Sequence, residues 1–466
     1  MKIITVLLIV SSWSINIFSQ VEFTSHTITM DADEAYSVYA VDLDSDGDID
    51  VLSASWKDNK VAWYENDGKE NFTPNTITTD AVGAISVYAV DLDSDGDIDV
   101  LSASIDDDKI AWYQNDGNKN FISHVVTTNE YGVRSVYAID MDADDDIDLL
   151  SASSGNKIAW YENDGNENFN VHIITDSAEA VWSVYAIDLD GDGDIDVLSA
   201  SSPDSKIAWY ENDGKETFTP HIITMDAPTA YSVFAIDVDG DGDIDVLSAS
   251  SGDDKIAWYE NDGGENFTPY TITSNADGAW SVYAIDLDHD GDIDVLSASQ
   301  NDNKVAWYEN DGEENFTSHT ITTNADNARS VYAIDLDGDG DIDVLSASTG
   351  QPPSYNSEIT WYENLMIVGV DDNEFLKIPS GFNLSNNYPN PFNPTTKISY
   401  EIPKTSFVTL KVYDVLGNEV AELVNEEKAE GSYEVKFDGS GLTSGIYLYK
   451  LQAGNSVEIR NMILLK

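Results

Sequence analysis

The chain has 466 residues, too many for one ordinary domain, and carries 87 Asp and Glu against 22 Lys and Arg, a formal charge of −65. So acidic a surface repels nucleic acid and anionic membrane, which excludes both as partners. There are no cysteines, so disulfides do not hold the fold.

Residues 1–19 open with a basic Lys2, continue through the apolar run IITVLLIV and end in a polar stretch at Ser19. That order reads as a secretory signal peptide, with cleavage near Ser19 or Gln20. No other stretch is long and apolar enough to span a membrane. The mature protein is expected to be a soluble monomer outside the inner membrane.

The segment VDLDSDGDIDVLSAS, residues 41–55, then sets the pattern of the chain. Its acidic loop, Asp42-x-Asp44-x-Asp46-Gly47-x-x-Asp50, recurs six more times at steps of 48 or 49 residues. The equivalent carboxylates are Asp91, Asp93, Asp95 and Asp99; Asp140, Asp142, Asp144 and Asp148; Asp188, Asp190, Asp192 and Asp196; Asp237, Asp239, Asp241 and Asp245; Asp286, Asp288, Asp290 and Asp294; and Asp335, Asp337, Asp339 and Asp343. Carboxylates at positions 1, 3, 5 and 9 of a tight turn, with backbone carbonyl and water, suit a hard cation of calcium size. Clustered acids repel one another unless a cation neutralises them, which argues against a merely solvated turn. About seven structural calcium ions are therefore expected. Gly at position 6 permits a left-handed backbone. The third loop has Asp145 there, a residue that tolerates that conformation better than most. An EF-hand needs a bidentate Glu at position 12 and flanking helices, whereas position 12 here is Ser and the flanks alternate like strands.

Each repeat holds four strand-like runs, in the first 37–44, 50–55, 60–66 and 71–78, with an Asn66-Asp67-Gly68 turn between the third and fourth. Four strands per period of nearly 50 residues give a propeller blade. The FTxHTIT-like strand occurs first at Phe23–Thr29, before the first acidic loop, and nothing like it follows Asn364. The N-terminal strand is thus expected to complete the seventh blade beside Ile359–Asn364 and close the ring. Following the chain through a blade puts the acidic loops on one face of the disc. The loops before the first strand and after LSAS lie on the other.

Seven copies carry their own control. The residue before each Ser-Val-Tyr/Phe-Ala strand varies: Tyr36, Ile85, Arg134, Trp182, Tyr231, Trp280 and Arg329. The three tryptophans outside the repeated WYEN strands and the signal peptide (Trp56, Trp182, Trp280) all map to the variable face, as do the propeller's two arginines. Tyr36, Trp56, Arg134, Trp182, Tyr231, Trp280 and Arg329 are the candidate ligand-binding set, of a kind that holds a sugar or an anionic group. The alternative is that they pack the funnel and that the arginines pair with acids such as Glu130 or Asp326. The WYEN tryptophans, constant in every blade, are expected to pack between blades. Five of six histidines fall in the outermost strand and the sixth, His289, in an acidic loop. No nucleophile–base set and no zinc spacing is visible, so no catalytic residues are assigned.

On the D-x-D-x-D-G-x-x-D loops between first and second strands, residues 21–364 resemble the FG-GAP, or VCBS-type, repeats of the integrin alpha-subunit propeller and of many bacterial exported proteins. The resemblance implies structural calcium in these hairpins. After Asn364 the composition changes. Residues 365–382 read as a linker and 383–466 as alternating strands of a small Ig-like β-sandwich. Tyr388-Pro-Asn-Pro-Phe-Asn-Pro394, Val412-Tyr-Asp-Val-Leu-Gly417, Ser444-Gly-Ile-Tyr447 and the basic end Lys466 resemble the type A C-terminal sorting domain of type IX secretion cargo. That resemblance implies export through the periplasm, with residues 383–466 engaging the type IX machinery.

The whole reads as all-β: a signal peptide (1–19), a seven-bladed β-propeller closed by the N-terminal strand (20–364), a linker (365–382) and a small Ig-like sandwich (383–466). The leading expectation is a secreted or cell-surface binding or adhesion module, with carbohydrate the preferred ligand and a protein ligand the other choice. A polysaccharide-active enzyme and a purely structural spacer are the rivals.

Overall fold

The computed structural model describes residues 21–215, 217–350 and 357–365, and 382–464 apart from 385–386, 388–391, 393, 414–417, 429–430, 444 and 454–455. The signal peptide, nearly all of the linker, much of the Tyr388–Pro394 motif, the Leu416-Gly417 and Gly454-Asn455 turns, Ser444 and Lys466 lie outside them. The chain divides into two compact units, Met1–Ile367 and Val368–Lys466.

In the first unit β1 (Phe23–Thr29) stands apart from β2 (Ala35–Val41), β3 (Asp50–Ser55), β4 (Lys60–Asn66) and β5 (Phe72–Thr78). β2 to β5 form one antiparallel sheet in chain order, and five further four-stranded sheets repeat it. The seventh sheet joins Ala328–Ile334, Asp343–Ser348 and Glu358–Asn364 to β1. Phe23 faces Asn364 and His26 faces Trp361, and the Leu365 N–H donates to the Glu22 carbonyl at 2.7 Å. The two ends of the propeller are thus knitted together as expected.

Alternation explains each strand's place. In β2, Val38 and Ala40 are buried against the neighbouring blade while Tyr39 and Ser37 are only half-buried. β3 is buried along its whole length, and β5 is the exposed outer edge. Between blades, Leu52, Val61 and Trp63 of the first pack against Ala84, Val87, Val100 and Tyr113 of the second. All seven WYEN tryptophans are buried in such seams. Emptying one such site costs about 3–5 kcal/mol, so these rings serve the fold and are not available to a ligand.

Around the axis the first strands are bonded to each other. Ser37 Oγ accepts from the Val87 N–H, Ser86 from Val136, and so on through Ser330 and Val38, at 3.3–3.5 Å. Below that circle runs a second one of aromatic rings: Tyr39, Tyr88, Tyr137, Tyr185, Phe234, Tyr283 and Tyr332. Each neighbouring pair has its centroids 4.9–5.1 Å apart.

The second unit has a three-stranded sheet of Asn383–Leu384, Thr395–Ile402 and Gly431–Asp438. Its four-stranded sheet runs Glu419–Lys428, Ser406–Tyr413, Gly445–Ala453, Ser456–Leu464. Ile398, Tyr400, Leu410, Tyr449, Leu451 and Met462, from both sheets, share one core. This is the sandwich read from the sequence.

Deleting residues 21–30 leaves Glu358–Asn364 an unpaired edge and strips Phe23 from the seam between the sixth and seventh blades. The melting temperature, followed by differential scanning fluorimetry, is expected to fall sharply; an unchanged value contradicts ring closure.

Candidate functional site

The two faces of the disc differ in what they present. On one, the acidic loops bring carboxylates together. In five of them positions 1, 3 and 9 converge: Asp42, Asp44 and Asp50; Asp91, Asp93 and Asp99; Asp140, Asp142 and Asp148; Asp188, Asp190 and Asp196; Asp237, Asp239 and Asp245. One oxygen from each lies within 4.8 Å of the others, and two further groups converge as closely. The carboxylate at position 5 turns back on its own loop: Asp46 Oδ1 accepts from the Asp48 N–H at 3.0 Å, and Asp241 Oδ1 from Asp243 at 2.9 Å.

The residue at position 9 anchors the loop. Asp245 is fully buried, its Oδ1 accepting from Asn261 N–H at 2.7 Å and its Oδ2 from Val238 N–H at 3.1 Å. Burial pushes its carboxyl up to about 7, and that of Asp50 likewise, the latter with help from the charge of Asp44. The Asn that ends the third strand ties this anchor to the preceding blade. Asn115 Nδ2, for instance, donates to the Leu43 carbonyl of the first blade at 3.1 Å. Position 6 is left-handed, with φ between 97° and 102° in the six glycine copies. Asp145 holds the same turn at φ 74° and keeps the bond from its N–H to Asp140 Oδ2 at 3.0 Å, as Gly47 does to Asp42. The third loop is intact.

These oxygens fit a cation. Asp91 Oδ1 and Asp286 Oδ1 are buried without a hydrogen-bond partner, which a metal would supply. Two blades alter the surroundings. Gln114 stands where the other WYEN strands have Glu, and its Nε2 donates to Asp93 Oδ2 at 2.5 Å. Lys119, from the turn of the second blade, reaches Asp44 Oδ2 at 2.5 Å and Glu65 Oε1 at 2.7 Å.

The other face centres on the seven variable residues. In every blade the first strand slips register against the second around this one position: Ala35 faces Ser55 but Ser37 faces Ala54, leaving Tyr36 as the extra residue. The same slip frames Ile85, Arg134, Trp182, Tyr231, Trp280 and Arg329. A β-bulge frees its residue from the inward–outward alternation and re-aims its side chain. All seven, with the Ser residues beneath, line a depression of about 160 Å3 on the axis.

Within it the aromatic and cationic groups interlock. Arg134 lies 3.7 Å from the Trp182 ring centre and Arg329 3.8 Å from that of Trp280. Trp182 meets Trp280 edge-on at 5.3 Å, and Tyr231 packs on Trp280 at 3.9 Å. Burial lowers both guanidiniums below the usual arginine value and raises the phenols of Tyr36 and Tyr231. Trp56 stands beside this group, edge-on to Tyr36 at 6.0 Å, with its Nε1 donating to Asp106 Oδ2 at 2.7 Å. The pairing considered for Arg134 does not form: Glu130 is taken by Lys157 and by the Tyr161 hydroxyl. Among the described residues Arg329 has no ion pair either. The aromatic and serine circles are not among the sequence expectations, although the sevenfold recurrence of Ser-Val-Tyr/Phe-Ala is the available signal.

Models of the FG-GAP-like repeat match residues 42–102, 91–151, 140–199, 188–248, 237–297 and 286–346, together spanning all seven acidic loops. The chain belongs to the FG-GAP-like repeat family. A Secretion system C-terminal sorting domain matches residues 386–465. With it, the FG-GAP propeller is a protein exported by the type IX route, to be secreted or displayed at the cell surface. No curated protein matches the chain. Among solved structures, BBS1N in complex with ARL6DN is 12% identical with a TM-score of 0.52, over 73% of this chain and 96% of that one. A fungal alcohol oxidase of the AA5 family, in complex with copper, is also 12% identical with a TM-score of 0.51, over 96% and 100%. PorZ of Porphyromonas gingivalis, a surface component of the type-IX secretion system, is 14% identical with a TM-score of 0.45, over 90% and 58%. At such identities the likeness to BBS1N and the oxidase is one of fold alone.

Asp245→Asn sets an amide N–H against a backbone N–H that the carboxylate now accepts. It is expected to cost about 1–3 kcal/mol in chemical denaturation, with chelator or with calcium. Asp241→Asn keeps its own turn bond and should cost far less in chelator; equal costs would contradict the anchoring role of position 9.

Proposed function

We propose that this FG-GAP propeller is an extracellular binding module that takes carbohydrate at the mouth of its central channel, while calcium in the acidic loops holds the blades. The observation that carries the reading is the bulge. Seven copies of one sequence keep the Ser-Val that follows constant and a small Ala or Val before it, yet the single position released from the sheet's alternation varies widely in size and charge. It carries Trp, Tyr and Arg, the side chains that stack on sugar rings and donate to their oxygens. A depression of about 160 Å3 is small beside the roughly 300–1,000 Å3 of drug-sized pockets, which suits one terminal sugar residue over a long chain segment.

Binding is favoured over hydrolysis because the described lining holds no carboxylate or imidazole, the groups that usually pair as acid and base. Calcium is favoured for the loops because the donors are all oxygens and two of them are buried without partners. It would cross-link the ends of the first two strands of a blade and offset part of the −65 charge.

A glycan array probed with the calcium-loaded full chain tests the reading, with turnover followed on any hit. Binding without turnover, lost in the triple variant Arg134→Ala, Trp182→Ala, Trp280→Ala whose melting temperature stays close to that of the parent, is the expected result. Chelator should lower the melting temperature and impair binding only as the fold is lost. Binding abolished by chelator with the fold intact would move the metal into the ligand site.

A further inference from the structure

We infer that the sugar taken at the channel mouth carries an anionic group, a carboxylate or a sulfate, held by Arg134 and Arg329. This rests on the binding-module reading above and names its ligand class. The two are the only arginines of the propeller, in a chain with 87 acidic residues. Both are substantially buried, and in each the Nε and Nη1 donors are buried with no acceptor. Leaving a charged donor desolvated and unpaired is costly. The fold does not demand it, since Ile85 occupies the same bulge in the second blade.

The stacking explains what the guanidiniums are prepared for. Arg134 lies over Trp182 and Arg329 over Trp280, so each ring engages a flat cationic face and holds it in place. The N–H donors lie in the guanidinium plane; Nη2, which is not among the donors buried without an acceptor, is the one an oxygen anion reaches first, and Nε and Nη1 lie behind it without an acceptor. Both arginines line the one depression together with Tyr231, so the two cations surround a single centre. Trp182, Trp280 and Tyr231 supply the apolar walls for the sugar ring.

Glucuronic acid, glucose 6-sulfate and glucose, titrated into the calcium-loaded full chain by calorimetry, test this. At least one anionic sugar should bind tenfold or more tightly than glucose, and which of the two does so separates carboxylate from sulfate. Arg134→Gln and Arg329→Gln should each reduce that binding at least tenfold, and by a clearly larger factor than they reduce the binding of glucose. Arg134→Lys, which keeps charge without the planar fork, should fall between. Melting temperatures near that of the parent would confirm that the variants fold. Glucose binding as tightly as the acids, or Gln variants binding the acids as well as the parent, overturns the inference and leaves the binding module standing. No binding of any sugar, on the array or in solution, removes both.

A different observation concerns the first acidic loop, and it rests on the calcium reading of the loops. The turns between third and fourth strands carry Glu70, Glu167, Glu216, Glu265 and Glu314 at one position, and Lys119 in the second blade alone. Lys119 Nζ is 2.5 Å from Asp44 Oδ2 and 2.7 Å from Glu65 Oε1, with the Trp63 ring 5.6 Å away. The geometry points to a loop that carries its own cation: the ammonium takes up the position-3 carboxylate that a metal would need. Native mass spectrometry of the calcium-loaded chain should count six tightly held ions against seven loops, and Lys119→Glu should add one. Seven equal ions with no change in the variant would overturn the assignment. No bound ion at all would instead remove the calcium reading itself.

Discussion

Everything in the propeller depends on closing a circle of first strands around an axis. The seven Ser Oγ to Val N–H bonds run without a gap, and the last joins Ser330 to Val38. A bond of this kind is worth only about 0.5–1.5 kcal/mol net. Its weight lies in repetition, since the position that makes it can change in no blade without breaking the circle. The aromatic circle beneath imposes the same demand on Tyr39 and its equivalents, and the Trp seams impose it farther out. Sevenfold closure explains why so much of the sequence is copied.

The bulge is where that demand is relaxed. By adding one residue to the first strand it lets the serine keep its place in the circle while the residue before it is set free. Conflict between a uniform frame and a specific surface is resolved inside a single strand, over two neighbouring residues. On the opposite face no such release occurs, and the acidic loops stay nearly identical. Asp145, Gln114 and Lys119 on that face are substitutions within a common geometry, and each is accommodated by a local bond.

The fold was legible because its signals repeat. Four runs per period, a turn at Asn66-Asp67-Gly68 and an unmatched strand at Phe23–Thr29 sufficed for blades, faces and closure. The ring of variable residues was legible too, but only as a list of positions. Sequence does not disclose a bulge: nothing in Ala35-Tyr36-Ser37 marks Tyr36 as the extra residue, because the slip is set by pairing with Ala54 and Ser55. Nor does it disclose that Glu130 is already claimed by Lys157, from which the isolation of Arg134 follows. Spacing predicts that positions 1, 3, 5 and 9 all converge; positions 1, 3 and 9 do, while the turning back of position 5 depends on loop backbone that spacing does not reveal. Lys119 was hidden because its partners belong to the neighbouring blade.

The pairing of Phe23 with Asn364 also orders events in time. The first strand made is the last to find its place, since its partner, Glu358–Asn364, is synthesised more than three hundred residues later. Until then the chain is an open arc with an unsatisfied edge at each end, the form of a sheet most prone to pair with strangers. The arc stays open for as long as its two ends are kept apart, and the ring closes once they meet.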